Sequence, residues 1–334
     1  MTPAQLINAL PDGALIIAAD GNVLAANPAA REALGLDPQG LSIKSVLRHA
    51  TFHQGVTKAR ETGLPVHIEI EIQIRPPRQF NASIATIGSS GGVLVVLRDL
   101  TREQRIERMR SDFVANASHE MRTPLAAIIG TIETLQGAAK NDARARERFF
   151  DSMLSQCRRM KRLIDDLLTL SRIELNEHVR PNAQIDLLDV ARQAKSNLVA
   201  LIMEAKVEVN FMQAQRTVVA GDADELLQVT QNLLENAIKY GAGGGRVDVT
   251  CKAEGGFGVL EVRDYGRGIA EDHIPRLTER FYRVSTQESR ARGGTGLGLA
   301  IVKHIISRHR GKLDIHSRLN EGSTFRISIP LYHS

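Results

Sequence analysis

The polar and apolar positions of this chain change period twice along its length. In ALIIAADGNVLAANPAA (14–30) two apolar runs flank Asp20-Gly21-Asn22, the signature of a β-hairpin closed by a tight turn. Asn27-Pro28 then opens a short helical stretch through Ala33. VHIEIEIQI (66–74) alternates apolar and polar almost without fault, as a half-buried strand does, and Pro76-Pro77 ends it. Phe80–Ile87 and Val93–Leu97 read as two more strands across a Gly-Ser turn at Gly88–Gly92. Residues 1–98 are therefore expected to form a small α+β domain.

Beyond residue 98 the period becomes helical. DLTREQRIERMR is a charged helix with Asp99 or Thr101 as its N-cap, and 99–112 reads as a connecting signalling helix. Val114, Ser118, Met121, Leu125, Ile128, Ile132 and Leu135 then alternate spacings of four and three, as do Met153, Cys157, Met160, Ile164 and Leu167. Both are heptad seams, joined at Gly137–Asp142. Two such helices make a thin core, and two copies make a four-helix bundle, so residues 113–180 predict a homodimer. Residues 183–334 mix helical stretches (Leu187–Met203, Ala223–Lys239, Ile274–Thr278, Leu297–Arg308) with strand-like runs (Val207–Phe211, Thr217–Ala220, Arg246–Cys251, Gly258–Arg263, Lys312–Ser317, Ser323–Ile329). Helices on one face of a sheet give an α/β two-layer sandwich.

Composition narrows the classes. The 334 residues carry a formal charge of +5, spread along the chain rather than gathered into a nucleic-acid footprint. Two distant cysteines, Cys157 and Cys251, give no disulfide framework. No apolar run approaches the ~18 residues that span a bilayer, and no signal peptide opens the chain, so a cytoplasmic protein is expected, at a membrane only through an anchor lost upstream. His49, His53 and His67 lie singly in polar surroundings and do not form a haem site, and the scarcity of aromatics before residue 98 gives a flavin little support.

Four constellations carry chemistry. In DFVANASHEMRTPLAAIIG (112–130), His119 lies one residue past the seam, about 100° round the helix, on the flank of the bundle. Thr123 shares its face four residues on, and Pro124 lacks the N–H that would close onto Glu120. An imidazole near neutrality is a competent phosphoryl acceptor. Glu120 can orient it only through a favourable rotamer or the loosened turn. A zinc-protease helix would need histidine where Thr123 stands. In QVTQNLLENAIKYG (228–241), Asn232, Asn236 and Lys239 share one helical face: amide oxygens suit Mg²⁺ and an ammonium suits phosphate. DYGRGI (264–269) sets Asp264, an acceptor for an exocyclic amine, before two glycines that admit a flat ligand. GGTGLGLAI (293–301) puts a glycine loop at a helix N-terminus, where free N–H groups meet phosphate, and Arg283 of FYR (281–283) can reach a terminal phosphate.

The order H-E-x-x-T-P, N-x-x-x-N-x-x-K-Y, D-x-G-x-G-I, F-Y-R, G-T-G-L-G-L resembles the sensor histidine kinase family from the His119 segment to the C-terminus, and residues 1–98 resemble a PAS sensor domain. SDFVANASHEMRTPL is similar to phosphate-regulon sensors, which carry membrane helices upstream. The resemblance implies a dimeric phosphotransfer bundle and a GHKL-type ATPase domain using ATP and Mg²⁺. It implies that His119 is the phosphoacceptor, Glu120 its acid/base partner and Thr123 the residue placing water for dephosphorylation of a response regulator. Asn232 and Asn236 match the Mg²⁺ ligands, Lys239 a phosphate contact, Tyr240 an adenine neighbour and Asp264 the adenine reader. Gly266, Gly268, Gly294, Gly296 and Gly298, with Thr295 and Leu297, match the hinges and cradle of a lid spanning Glu271 to Thr295. The implied partners are a homodimer mate, a cognate response regulator and an unidentified signal at the PAS domain. A mechanical GHKL ATPase or a nucleotide-binding scaffold without phosphotransfer are the alternatives. Arg290–Arg292 in the lid has no assigned role, and the basic residues Arg144 to Arg162 are expected to form a solvated face.

Overall fold

The computed structural model describes residues 3–74, 77–88, 91–137, 142–176, 178–284 and 294–332, in two compact units, Met1–Val114 and Ala115–Ser334. The Gly137–Asp142 connection, the Gly88–Gly92 turn, Pro76 and the lid stretch containing Arg290–Arg292 fall wholly or partly outside the described residues.

In the first unit, α1 (Pro3–Ile7) precedes the hairpin β1 (Gly13–Ile17) and β2 (Val23–Ala26). Its turn forms where expected: Asp20 Oδ1 accepts the Asn22 N–H at 2.9 Å. Helices α2 (Pro28–Leu34), α3 (Ile43–Val46) and α4 (Ala50–Thr62) follow, then β3 (Val66–Ile72), β4 (Arg78–Ile87) and β5 (Gly92–Asp99). All strand pairs are antiparallel, in the order β2-β1-β5-β4-β3. Phe52, Val56 and Ala59 of α4 pack on the same core as Leu15, Ile70 and Ile84. The buried Asn27 is the node at the start of α2. Its Oδ1 accepts N–H groups of Ala14 and Ala30, while its Nδ2 donates to carbonyls of Ile7, Leu10 and Asp12. Helix α4 is not among the periodic segments of the sequence because its apolar positions are diluted by histidine, threonine and glycine, all weak helix formers.

Helix α5 (Thr101–Gln136) starts where Asp99 Oδ1 accepts the Thr101 N–H and runs without a break through Pro124. Helix α6 (Ala143–Leu175) is capped by Asp142, which accepts from Ala145. Pro124, Ala145, Leu163, Leu170 and Ile173 are buried in this unit. Much of the heptad seam is not: Val114, Ser118, Leu125 and Ile132 on α5, and Cys157 and Ile164 on α6, remain exposed, as do Ile129, Phe150, Leu154 and Leu168. One copy of the hairpin thus leaves an apolar stripe along both helices. No helix among the described residues is long and apolar enough to cross a membrane.

The remaining elements are β6 (Ala183–Asp186), α7 (Leu187–Asn197), α8 (Val199–Ala205), β7 (Glu208–Ala214), β8 (Val218–Gly221), α9 (Ala223–Gly241), β9 (Arg246–Glu254), β10 (Phe257–Asp264), α10 (Gly298–Arg308), β11 (Lys312–Arg318) and β12 (Gly322–Pro330). The sheet runs β11-β12-β10-β9-β7, antiparallel except for β7 beside β9, with β6 and β8 as a separate pair. Helices α7, α9 and α10 pack through Leu187, Leu233, Leu234 and Ile305, which are fully buried. The segment Leu187–Met203 is two helices rather than one, divided at Leu198. Ile274–Thr278 is not an α-helix: a 3-10 turn covers Glu271–Arg276, and Pro275 inside it lacks the N–H that helix propagation needs.

His309 closes the C-terminal end of α10. Its Nδ1 donates to the Ile305 carbonyl at 2.8 Å and its Nε2 accepts the Asp222 N–H at 3.0 Å. Burial, the larger cause, pushes its pKa below the ordinary histidine value. The unfolded chain therefore takes up a proton below about pH 6.5 that the folded chain refuses, so this contribution to stability is complete above that pH and lost on acidification. Glu225 beside it, whose carboxyl burial pushes upward, acts in the opposite sense. A His309→Gln chain is expected to lose less melting temperature than the parent between about pH 7 and pH 5, as followed by circular dichroism. Parallel melting curves for the two chains would contradict this.

Candidate functional site

A cavity opens between α9, the β10 end, the Gly294–Gly298 loop and one flank of α6. Helix α9 is capped by Asp222, which accepts from the Glu225 N–H, and its apolar and polar residues fall on opposite faces. Leu233, Leu234, Ala237 and Ile238 face the core, which leaves Asn232, Asn236, Lys239 and Tyr240 to line the cavity, as their spacing requires. Glu235 lines it too and holds Lys239 Nζ at 2.7 Å.

Asp264 forms the floor. It is 4% exposed, and its Oδ1 accepts the Gly266 N–H at 2.9 Å. Burial pushes its carboxyl pKa up, against the hydrogen bonds from Gly266 and Ser323. The two glycines after it are there for space: a Cβ on Gly266 would stand 2.3 Å from the Tyr240 carbonyl oxygen, and one on Gly268 (φ 67°) 1.8 Å from that of Arg318. Losing an acceptor at this buried position costs a ligand amine about 1.5–3 kcal/mol, so Asp264→Ala is expected to weaken binding of the nucleotide that the resemblance implies about ten- to hundredfold. Calorimetric titration checks this, and an unchanged affinity would contradict it.

The other end of the cavity is built by the glycine loop. The Phe281 N–H donates to the Gly296 carbonyl at 2.8 Å, tying the FYR segment to the loop. Thr295 Oγ1 accepts the Leu297 N–H at 3.3 Å, just before α10 begins at Gly298. Asn232 Oδ1 lies 2.8 Å from the place of a Gly298 Cβ, so α10 begins close against the Asn232 side chain of α9. Gly294, Gly296 and Gly298 line the cavity, while the Leu297 side chain is turned into the core.

Arg283 links this cavity to α5. Its side chain is 5% exposed, and its Nη2 donates to Glu120 Oε2 at 3.0 Å. Its Nε is buried without a partner and lies 3.2 Å from the place of a Gly296 Cβ, beside the loop. Glu120 Oε2 also receives Arg159 at 2.8 Å. His119 and Thr123 are exposed on α5, outside the cavity, with Thr123 Oγ1 donating to the His119 carbonyl at 3.2 Å. Glu120 thus sits between two guanidinium groups and reaches across the hairpin, as neighbouring positions on a regular helix diverge.

Three residues of α6, Asp166, Arg162 and Arg159, complete the site, and the sequence motifs single out none of them as a site residue. Asp166 of α6 accepts from Thr295 Oγ1 at 2.7 Å, and Arg162 lies along the same cavity wall. Arg159 departs from the expected solvated face, with a side chain 12% exposed against Glu120. Its sequence signal was its place on the α6 face that also carries Arg162 and Asp166, at spacings of three and four.

Three family models match the chain: a PAS fold over residues 3–100, a His Kinase A (phospho-acceptor) domain over 109–176, and a histidine kinase-, DNA gyrase B- and HSP90-like ATPase over 221–333. Phosphate regulon sensor protein PhoR of Pseudomonas aeruginosa is 36% identical over 320 residues, 95% of this chain and 71% of that protein. Sensor protein SrrB of Staphylococcus aureus is 32% identical over 249 residues, 73% of this chain and 42% of that protein. Among solved structures, the Acinetobacter baumannii histidine kinase AdeS superposes with a TM-score of 0.51 at 28% identity, covering 64% of this chain and 98% of that one.

Proposed function

Because the chain belongs to the sensor histidine kinase family, we propose that ATP occupies the cavity beneath α10 and phosphorylates His119 on α5. The observation that carries this reading is Arg283, which joins Glu120, next to His119, to the glycine loop through a buried guanidinium with one N–H still free. Adenine lies against Asp264 and Tyr240, on a turn that Gly266 and Gly268 let pack closely on the Tyr240 and Arg318 backbone. The phosphates lie toward Lys239, Thr295, Gly296, Gly298 and the N-terminus of α10, whose dipole favours an anion.

Asn232 and Asn236 present hard amide oxygens on the cavity side of α9, and the Glu235 carboxylate lines the same cavity, a donor set that fits Mg²⁺. The ion supplies charge neutralisation to the β- and γ-phosphates when bound. His119 Nε2 or Nδ1 attacks the γ-phosphorus, the bond to the β–γ bridging oxygen breaks, and ADP leaves with those electrons. The proton on the other ring nitrogen passes to Glu120 once Arg283 has turned from it to the phosphate. Positioning and charge supply most of the rate in such transfers.

The phosphoryl group then passes to an aspartate of a response regulator. Thr123, one turn from His119, places water when that regulator is dephosphorylated. A second copy covers the apolar stripes of α5 and α6 and completes a four-helix bundle. The first unit receives the signal, and residues 99–112 pass it to the bundle as a shift between two packings. The relation to a phosphate-regulon sensor supports an input in phosphate control.

Incubation with Mg²⁺ and ATP labelled at the γ-position tests the reaction. A protein-bound label that is lost in acid and kept in alkali is expected. ATP turnover with no such label would contradict the reading and favour a mechanical ATPase, and binding without either would favour a scaffold.

A further inference from the structure

Helix α6 brings a negative charge into the nucleotide cavity. Asp166 Oδ2 accepts from Thr295 Oγ1 at 2.7 Å, and the same hydroxyl oxygen accepts the Leu297 N–H at 3.3 Å. That amide belongs to the turn that opens α10, where a phosphate would otherwise meet free N–H groups. A carboxylate of the hairpin thus engages the Thr295 hydroxyl, and that hydroxyl the Leu297 N–H, two of the donors on which the nucleotide reading places phosphate.

The electrostatics oppose a second anion there. Asp166 is largely desolvated, which pushes its carboxyl pKa up, and the Thr295 bond and Arg162 pull it back, while Glu235 and Asp165 add to the rise. Charges that meet in a cavity with little water interact far more strongly than on the surface. Other polar contacts of this end of α6 put arginines on the catalytic layer's side: Arg280 on Glu174, and Arg308 Nε on the carbonyls of Asn176 and Val179 just past the end of α6. Asp166 is the acidic member of this contact that faces the phosphate end of the cavity.

We propose that Asp166 is a positioning residue for the nucleotide, which through Thr295 holds the glycine loop against α6 until the phosphates displace its carboxylate, so that ATP binding and release of the loop from the hairpin are one equilibrium. This rests on the assignment of the cavity to ATP. The coupling is reciprocal: whatever packs α6 more firmly onto the loop lowers affinity for phosphate-bearing ligands by the same factor.

The test is calorimetric titration of the full chain and of Asp166→Asn, a substitution of the same shape without the charge, with two ligands in Mg²⁺ buffer. One is a non-hydrolysable ATP analogue and the other is adenosine, which has the base and no phosphate. The variant is expected to bind the analogue at least about fivefold more tightly and to bind adenosine as the parent does. Unchanged or weakened analogue binding would overturn the proposal, the latter by showing that the carboxylate helps to hold the nucleotide. An equal shift for both ligands would overturn it in favour of a purely structural bond. Failure of either chain to bind adenosine or the analogue would remove the ATP assignment itself, an outcome distinct from loss of the Asp166 effect alone.

Discussion

In a His119→Ala chain, protein-bound phosphoryl label is expected to fall to background while binding of an ATP analogue stays at the parent value. The two effects separate because His119 is exposed on α5 and lies outside the cavity, whose lining comes from α9, the Asp264 turn, the glycine loop and α6. The imidazole is the atom source for the new N–P bond, and no neighbour substitutes for it: Thr123 shares its face, but its hydroxyl donates to the His119 carbonyl and has no base beside it among the described contacts. An exposed helical position tolerates alanine within about 0.5 kcal/mol, so the melting temperature serves as the control. Retained acid-labile label would contradict the assignment of the acceptor.

Replacing Arg283 with alanine is expected to slow autophosphorylation at saturating ATP about 10²- to 10³-fold, the range found when one preorganised donor is removed from a developing charge. Arg283 is nearly buried, spends one nitrogen on Glu120 and keeps another open beside Gly296. Its removal deletes both the N–H left open beside Gly296 and the link that registers the loop against α5. Glu120 is left with Arg159, so the hairpin keeps an internal ion pair and its fold. Arg283→Lys should recover part of the rate, because an ammonium supplies charge but not the planar fork. Initial rates of label incorporation measure this directly, and a rate equal to the parent's would show that Arg283 serves packing alone.

The parts of this site that could be read in the sequence are those carried by short spacings. Asn232, Asn236 and Lys239 recur at four and three residues on a helix whose other face is leucine, alanine and isoleucine, so the period alone turns them the same way. The D-x-G-x-G spacing marks the Asp264 turn, but the space its glycines were read as giving a flat ligand is taken by the backbone of Tyr240 and Arg318. Asp166 and Arg159 were not legible. Thr295 is 129 residues from Asp166, and Glu120 is 39 from Arg159, and a heptad pattern reveals that a helical face is charged without revealing what covers it. The same limit explains the hairpin seam, where periodicity marks apolar positions on both sides of each helix and only packing sorts those covered within the unit from those left for a second copy. Local backbone chemistry accounts for the Leu187–Met203 segment and the Glu271–Arg276 turn: propensity carries a helix through both, whereas the break at Leu198 and the proline at position 275 stop it.

The most direct test of the central claim is to locate the phosphoryl group itself. The chain would be incubated with ATP and Mg²⁺, digested at neutral to alkaline pH, and its phosphopeptides sequenced by electron-transfer fragmentation, which leaves a phosphoramidate intact. A single modified residue at His119, in the peptide that also contains Glu120 and Met121, is the predicted result. A phosphoryl group on Ser118, on Thr123 or on any residue outside α5 would contradict it.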